Sequence, residues 1–186
     1  AIPFVKIALT NEDRRGNRPR FQYILAQLYQ LNGERESACN AYNKVLKMQP
    51  SNEMDFNARL NIALLGSSTN EAVKQLYKMA RLDKNKDQLD QIYGTIGDVY
   101  LAQKDTVKAL ENYEQGIAKS TQNGSAKAKI LITAGDIYYE QRNYIKASPC
   151  YKEATQILSA ESEQYQRILQ RSETLDELVV EHSMVL

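Results

Sequence analysis

Residues 135–154 read GDIYYEQRNYIKASPCYKEA, and small and aromatic residues recur in this stretch at a spacing typical of two packed helices. Gly135 precedes Tyr138 by three positions, Ala147 follows that tyrosine by nine, and Tyr151 follows the alanine by four. Residues three or four positions apart lie on one face of a helix. A polar turn separates the two halves of the stretch. We therefore predict two helices that pack closely through their small residues.

The same spacing occurs twice more along the chain, which indicates an internal repeat. In each copy the small residue on the first helix leaves room for the second helix, whose alanine faces it. The tyrosines fill the space against the next pair of helices. The matching residues are Ala26, Tyr29, Ala38 and Tyr42 in one copy and Gly97, Tyr100, Ala109 and Tyr113 in the other.

This pattern resembles the tetratricopeptide-repeat (TPR) superfamily, whose unit of two helices is about 34 residues long. The resemblance covers residues 19–161. It implies an all-α fold, a right-handed superhelical solenoid of antiparallel helix pairs with about four repeats and a C-terminal capping helix. The predicted units are residues 19–52, 53–89, 90–127 and 128–161, preceded by a partial helix of an earlier repeat and a linker at 1–18 and followed by the capping helix at 162–186.

The repeats are not uniform, and the chain ends in a different kind of helix. In the second unit Leu60 and Ala63 occupy the small and aromatic positions in reverse order, which makes that unit degenerate. Pro149 lies within the second helix of the fourth unit and is tolerated if that helix begins near Ile145, with a slight bend. The predicted capping helix has an apolar face made of Tyr165, Ile168, Leu169, Leu175, Leu178 and Val179.

The composition is that of an ordered chain without a strong net charge. Hydrophobic residues make up 42% and charged residues 25%, and 24 Lys and Arg nearly balance 23 Asp and Glu. This balance provides no global field that would attract nucleic acid or an anionic membrane. The sequence contains no run of about 18 apolar residues that could span a bilayer. We therefore expect the partner to be a protein.

The sequence predicts no catalytic residue, metal site or cofactor. The single histidine, His182, has no Ser, Cys or carboxylate at a spacing typical of a triad or a metal site. Gly94, Gly97 and Gly116 lie in predicted helices, with no strand before them and no Lys-Ser pair after them, so they do not form a phosphate loop. We expect neither enzymatic activity nor a small-molecule substrate.

The two cysteines, Cys39 and Cys150, are predicted to be free buried thiols. They lie on the second helices of the first and fourth units. Stacked helices are about 8–10 Å apart, so three repeats of separation exceed the limit of about 7 Å between the Cα atoms of a disulfide. The sequon Asn123-Gly124-Ser125 is better explained as the turn between the third and fourth units than as a glycosylation site.

A binding solenoid carries its ligand contacts on the inner, concave face of its first helices. In this chain the inner positions are strongly polar, and such side chains can bond the backbone of an extended peptide or a partner helix. The alternative is a solvated groove whose amides bond to neighbouring turns and helices. The predicted partner-binding residues are Arg20, Tyr23, Gln27, Asn57, Asn61, Thr95, Asp98, Thr133, Asp136 and Tyr139.

Four stretches carry a narrower resemblance: residues 18–29 (RPRFQYILAQLY), 53–61 (EMDFNARLN), 83–87 (DKNKD) and 90–93 (DQIY). They are similar to the TPR lipoproteins of Bacteroidetes known as SprE or PorW. That family is associated with type IX protein secretion and gliding motility, and its members are outer-membrane lipoproteins that face the periplasm. The resemblance implies the same role and location here. We expect the chain to be an internal fragment whose lipid anchor lies outside it, which would be its only link to the membrane.

Two other functions stay open. A generic TPR adaptor, such as a chaperone-docking module, would need a clamp of basic and amide side chains for a carboxylate. Arg20, Asn57 and Asn61 suit such a clamp, whereas Asp98 and Asp136 would repel an acidic peptide. Alternatively, these repeats are the non-catalytic part of a larger multidomain enzyme.

Overall fold

The computed structural model describes residues 1–12, 14, 16–66 and 70–184, with side chains as far as Leu178. Within these residues the chain is all-α, as predicted, with ten α-helices, one 3-10 helix and no strand. The helices are α1 (Ile2–Asn11), α2 (Arg18–Leu31), α3 (Arg35–Lys47), α4 (Asn52–Leu65), α5 (Asn70–Ala80), the 3-10 helix (Asp83–Gln88), α6 (Leu89–Ala102), α7 (Thr106–Lys119), α8 (Ser125–Glu140), α9 (Tyr144–Ile157) and α10 (Glu163–Met184).

The chain divides into two compact units, Ala1–Leu76 and Tyr77–Leu186. In the first unit α2 and α3 form a helical hairpin, with α1 packed on α2 and α4 packed on α3. The two alanines that the sequence assigned to the helix contact, Ala26 and Ala38, are fully buried. Tyr42 is buried in the same core. Small residues therefore do bring the two helices together in this hairpin.

The second unit contains two further hairpins, α6 with α7 and α8 with α9, and α10 packs on α9. In each hairpin a glycine of the first helix contacts a tyrosine ring of the second. Gly97 lies against Tyr113, and Gly135 lies against Tyr151. Both tyrosines belong to the buried core of this unit. The spacing in the opening stretch of sequence therefore corresponds to a direct contact between two helices.

The turns inside three hairpins share one backbone geometry. Each has a residue with positive φ at the same position of the repeat: Gly33 at 76°, Lys104 at 63° and Arg142 at 58°. The left-handed conformation closes the helix by returning backbone N–H groups to its last carbonyl groups. The recurring bonds run from the N–H of Glu34, Asp105 and Asn143 to the carbonyl groups of Tyr29, Tyr100 and Tyr138, each 2.9 Å long. The predicted turn at 66–70 contains residues 67–69, which lie outside the described residues.

The second unit repeats with a period of 38 residues, as Ile92, Ile130 and Ile168 show by their positions and their burial. This register places α10 where the first helix of a further pair would lie. On the predicted apolar face of α10, Ile168 and Leu175 are buried and Tyr165 and Leu169 half-buried. Leu178 was expected on that packed face but is 46% exposed, and it is not part of the buried core of this unit. The side chain of Val179 lies outside the described residues.

Pro149 lies in the second turn of α9, where it is the sixth residue of the helix if Tyr144 is counted as the first. The carbonyl group of Ile145 therefore has no N–H donor four residues further on. Both Pro149 and Ile145 are exposed, so water can reach this end of the helix. No helix among the described residues is long and apolar enough to cross a membrane.

Both cysteines are free thiols, as predicted. The expectation that they would be fully buried is wrong, because each is only half-buried at the side of its helix. Partial burial, with Glu153 and Glu114 nearby, raises the pKa of Cys150 to about 11. This thiol is therefore protonated at neutral pH and a poor nucleophile.

Candidate partner-binding site

In the first unit, three of the five predicted binding residues contact one another. The amide of Asn61 donates to the hydroxyl of Tyr23 at 3.4 Å and to the carbonyl group of Asn57 at 2.9 Å. The first bond connects α4 with α2, the second lies within α4, and all three side chains are half-buried. Arg20 and Gln27 are exposed. They are the residues of this group that a partner can reach most easily.

In the second unit, the two predicted threonines bond to their own helices. Thr95 is buried, and its hydroxyl donates to the carbonyl group of Gln91 at 2.8 Å. Thr133 is half-buried and makes the equivalent bond to Lys129 at 2.9 Å. The expectation that Thr95 lies on an exposed wall is therefore wrong, because its helix is buried at this point and its hydroxyl is used within the helix.

Asp98 joins three helices of the second unit. The hydroxyl of Tyr113 on α7 donates to one carboxylate oxygen at 2.7 Å, and the ammonium group of Lys129 on α8 lies 2.7 Å from the other. Burial, together with the neighbouring carboxylate, strongly raises the pKa of Tyr113 above its ordinary value. The tyrosine therefore stays a neutral donor to Asp98.

Asp136 repeats this arrangement one hairpin later. It accepts a hydrogen bond from Tyr151 on α9 at 2.6 Å and an ionic hydrogen bond from Arg171 on α10. Arg167 lies 3.7 Å from its second oxygen. Arg167 follows Asp136 by 31 residues, the same interval that separates Asp98 from Lys129. The repeat therefore includes a cation two helices further along the chain, a signal that is present in the sequence.

The two aspartates consequently hold the fold together rather than offering free carboxylates. Each is bonded to the tyrosine of its own hairpin and to a cation on the helix that follows that hairpin. In the first unit, Gln27 stands at the corresponding position, and Tyr42 donates instead to Gln30 at 2.9 Å. Gln27 therefore remains exposed while its counterparts Asp98 and Asp136 are used inside the unit.

Tyr139 is the predicted binding residue with the most distinctive surroundings. It is 40% exposed, its ring centroid lies 5.6 Å from that of Tyr144, and the guanidinium of Arg171 lies 5.1 Å from its ring centroid. These groups line a cleft of about 230 Å³ between the end of α8, the start of α9 and α10. Its lining residues are Tyr139, Tyr144, Gln170, Arg171, Thr174, Leu175 and Leu178.

Apart from Tyr139, the lining of this cleft was missed by the sequence reasoning. The predicted residues all lie on the inner face of the first helices, whereas Tyr144 begins a second helix and five lining residues belong to α10. The 38-residue register gave an available signal, because it aligns Arg171 with Thr133 and Thr95, two predicted binding positions. Extending the register into the last helix would have included Arg171.

The described part of the chain contains no group of three His, Cys, Asp or Glu side chains that could hold a metal ion. The side chain of His182, the histidine considered above, lies outside the described residues.

Two family models, both described as Tetratricopeptide repeat, match the chain, one over residues 19–52 and the other over residues 88–160. This chain is built on tetratricopeptide repeats. The two matches together cover more than half of its length, and the longer one includes both glycine–tyrosine hairpins of the second unit. The predicted TPR fold is thereby confirmed.

Solved structures with the same fold include BtubC (BKLC) from P. vanneervenii. It is 14% identical to this chain, with a TM-score of 0.66 over 95% of this chain and 79% of the other. MamA is 18% identical, with a TM-score of 0.51 over 84% of this chain and 85% of the other. At such low identity these likenesses show the fold alone. No curated protein sequence matches the chain.

Proposed function

We propose that this TPR chain is a non-catalytic scaffold that binds a protein partner. TPR repeats generally bind proteins, through surfaces formed by stacked helices. The observation that carries the proposal is the contrast among the inner-face residues. Asp98 and Asp136 are used within the fold, whereas Arg20, Gln27 and Tyr139 remain exposed on first helices. The exposed set can bind without any rearrangement of the hairpins.

The chemistry of these exposed residues suits a polypeptide. The amide of Gln27 can donate to and accept from a peptide backbone, and Arg20 supplies a fork of donors for carbonyl or carboxylate groups. Tyr139 offers a flat amphipathic ring of the kind that is enriched at interfaces. In each unit these side chains therefore suit an extended peptide or a partner helix better than a small metabolite.

We further propose that the scaffold belongs to a protein secretion or gliding assembly at the periplasmic face of the outer membrane. This proposal is supported only by the similarity of residues 18–29, 53–61, 83–87 and 90–93 to the SprE or PorW lipoproteins. A lipid anchor outside this chain would hold it at the membrane.

A generic TPR adaptor is the second candidate, and one observation favours it. Asp98 and Asp136 were expected to repel an acidic peptide, but their charges are balanced by Lys129, Arg167 and Arg171. The main objection to a clamp for an acidic segment is therefore weaker than the sequence suggested. We keep the third possibility, the non-catalytic part of a larger enzyme, as an outcome of the experiment.

The test is a crosslinking pull-down with the tagged protein from cells of its source, followed by mass spectrometry. The informative variants are Gln27→Ala and Tyr139→Ala. Gln115→Ala and Ile145→Ala are their matched controls, since both residues are exposed on second helices. We avoid Asp136→Lys, because Asp136 is bonded to Tyr151 and to α10.

Secretion-motor or outer-membrane translocon components that are lost with the test variants and kept with the controls would support the secretion scaffold. Cytosolic chaperones would support the generic adaptor, and a catalytic module in the same polypeptide would support the enzyme alternative. If no protein is enriched over an untagged control, the scaffold proposal is wrong.

A further inference from the structure

The cleft beside Tyr139 combines apolar walls with a fixed cation. Tyr139 and Tyr144 form one side, and Leu175 and the 46% exposed Leu178 form the other. The guanidinium of Arg171 lies over the ring of Tyr139. An exposed leucine beside two tyrosine rings is the kind of surface that a large apolar side chain can cover.

The size of the cleft restricts its occupant. Sites for drug-sized molecules and cofactors usually have volumes of about 300–1,000 Å³. The cleft has about 230 Å³. It therefore suits one anchoring side chain of a polypeptide better than a whole small-molecule ligand.

The charge of the cleft indicates which kind of partner residue lies beside the anchoring side chain. The Nη1 group of Arg171 is bonded to Asp136 and, at 3.1 Å, to the hydroxyl of Tyr151. A guanidinium carries five N–H donors, and the remaining donors of Arg171 have no partner among the residues described. Arg167 also lies near Asp136, so this group of two cations and one carboxylate has a net positive charge. The group attracts a further carboxylate.

Building on the proposed scaffold function, we propose that this cleft binds an internal acidic segment of a partner protein. A large apolar side chain of the partner fills the space between Tyr139, Tyr144 and Leu178. A neighbouring Asp or Glu of the partner bonds to the free N–H groups of Arg171. The bond from Arg171 to Asp136 fixes the guanidinium in advance, so little side-chain freedom is lost on binding.

The carboxylate comes from a side chain rather than from a chain terminus. Chain termini are captured by nests of backbone N–H groups or by clamps of several basic and amide side chains, and Arg171 is the one cation among the lining residues. Six of the seven lining residues lie inside α8 or α10, where backbone N–H groups are bonded within the helix. Among the lining residues, Tyr144 alone lies in the first turn of its helix, where a backbone N–H group lacks an acceptor within the helix.

The experiment begins with a phage-displayed library of random dodecapeptides joined to the coat protein by their C-termini. The purified chain selects from it, and selected peptides are then synthesised with acetylated N-termini and amidated C-termini. Binding is measured by fluorescence anisotropy with the wild type, Leu178→Glu and Val107→Glu. Val107 is a matched control, because it is 69% exposed in the same unit and does not line the cleft.

We expect selected peptides to share a large apolar residue within two or three positions of Asp or Glu. Leu178→Glu should weaken their binding about tenfold or more, since it places a negative charge in the cleft, whereas Val107→Glu should leave it unchanged. Replacing the peptide's acid by its amide should weaken binding about fivefold or more, the loss of one charge-assisted hydrogen bond. Circular dichroism checks that both variants keep their helices.

The inference is wrong if no peptide is selected, if the selected peptides lack the acid, or if both variants bind them equally. It is also wrong if a free C-terminus placed directly after the apolar residue binds better than the capped internal sequence. These failures differ from failure of the scaffold function, because the cellular pull-down would still recover a partner. A pull-down without any enriched protein would reject the scaffold function itself.

Discussion

Gly97 lies so close to Tyr113 that a methyl group on the glycine would be 2.3 Å from Cε1 of the ring. The ring cannot swing aside easily, since Tyr113 is buried and its hydroxyl is bonded to Asp98 at 2.7 Å. Gly135 and Tyr151 repeat the contact at 2.9 Å. In these two hairpins the distance between the helices is therefore set by the absence of one side chain.

Gly97→Ala should destabilise the second unit. Overpacking of a core costs about 1–3 kcal/mol, and the better helix propensity of alanine returns up to about 1 kcal/mol. We expect a net loss of about 1–2 kcal/mol in the free energy of unfolding, measured by urea denaturation. Gly16→Ala is the control, because a methyl group there meets nothing within 4 Å. Equal stability of the two variants would contradict the packing role of Gly97.

The fold could be predicted from the sequence because close packing of two helices requires small and aromatic residues at a fixed spacing. Gly97 and Tyr113 are 16 positions apart, and the same interval separates Gly135 from Tyr151. The binding residues were harder to predict, because a polar side chain on a helix can bond either to a partner or to another residue of the fold. Asp136 was predicted to face a partner, yet it bonds to Tyr151 and Arg171. Only the three-dimensional structure shows which role a given carboxylate has.

Lys104→Gly and Arg142→Gly should each stabilise the chain. Both residues have positive φ, at 63° and 58°, in turns where the first hairpin has Gly33. A side chain costs about 1–2 kcal/mol in the left-handed region, and the greater freedom of glycine in the unfolded chain offsets part of that. We expect a gain of about 0.5–1 kcal/mol each in thermal or urea unfolding.

Gly33→Ala should have the opposite effect and lower the free energy of unfolding by about 1 kcal/mol, because it introduces a side chain at a φ of 76°. Gly124→Ala is a comparison at a glycine whose φ of −105° is ordinary. If Gly33→Ala raised the free energy of unfolding, the positive φ of this turn would not determine which residue is most stable there.

Stability should fall above about pH 10. Burial raises the pKa of Tyr42, Tyr113, Tyr138 and Tyr151 well above that of an exposed phenol. A group whose pKa is raised on folding contributes stability that is full below its unfolded pKa of about 10 and is lost as the pH rises through the folded value. Urea unfolding at pH 8, 10 and 11, with phenolate absorbance at 295 nm, measures this.

The double variant Tyr113→Phe with Tyr151→Phe keeps the rings and removes two of the hydroxyl groups whose pKa is raised. It should be less stable at pH 8 by about 1–3 kcal/mol for each lost hydrogen bond to a carboxylate. Its stability should also fall less steeply between pH 10 and 11 than that of the wild type. An unchanged slope would mean that these two hydroxyls do not couple to folding.

Pro149→Ala should stabilise α9. Pro149 is the exposed sixth residue of the helix and denies the carbonyl group of Ile145 its donor. Proline is about 3 kcal/mol less favourable than alanine inside a helix, and its restriction of the unfolded chain returns about 1 kcal/mol or less. We expect a gain of about 1–2 kcal/mol in urea unfolding. A loss of stability would instead show that neighbouring helices require a bend at this position.

The attachment of α10 should weaken in acid. Asp176 accepts a hydrogen bond from the buried Ser148 and forms an ion pair with Lys152, both on α9. These contacts lower the pKa of Asp176 below its ordinary value of 3.8. A carboxylate whose pKa is lowered on folding contributes stability that is present above about pH 4 and is lost as the pH falls through the folded value. Hydrogen exchange of the α10 amides should therefore accelerate, relative to the intrinsic rate, between pH 5 and pH 3.

Asp176→Asn should raise the exchange of α10 at pH 5 and remove part of its acid dependence, because the amide cannot form the ion pair. Glu177→Gln is the control, since that neighbouring side chain is exposed. Because five residues of the Tyr139 cleft belong to α10, Asp176→Asn should also weaken binding of the acidic peptides selected above. Full peptide affinity alongside rapid α10 exchange would show that the cleft does not need a docked α10.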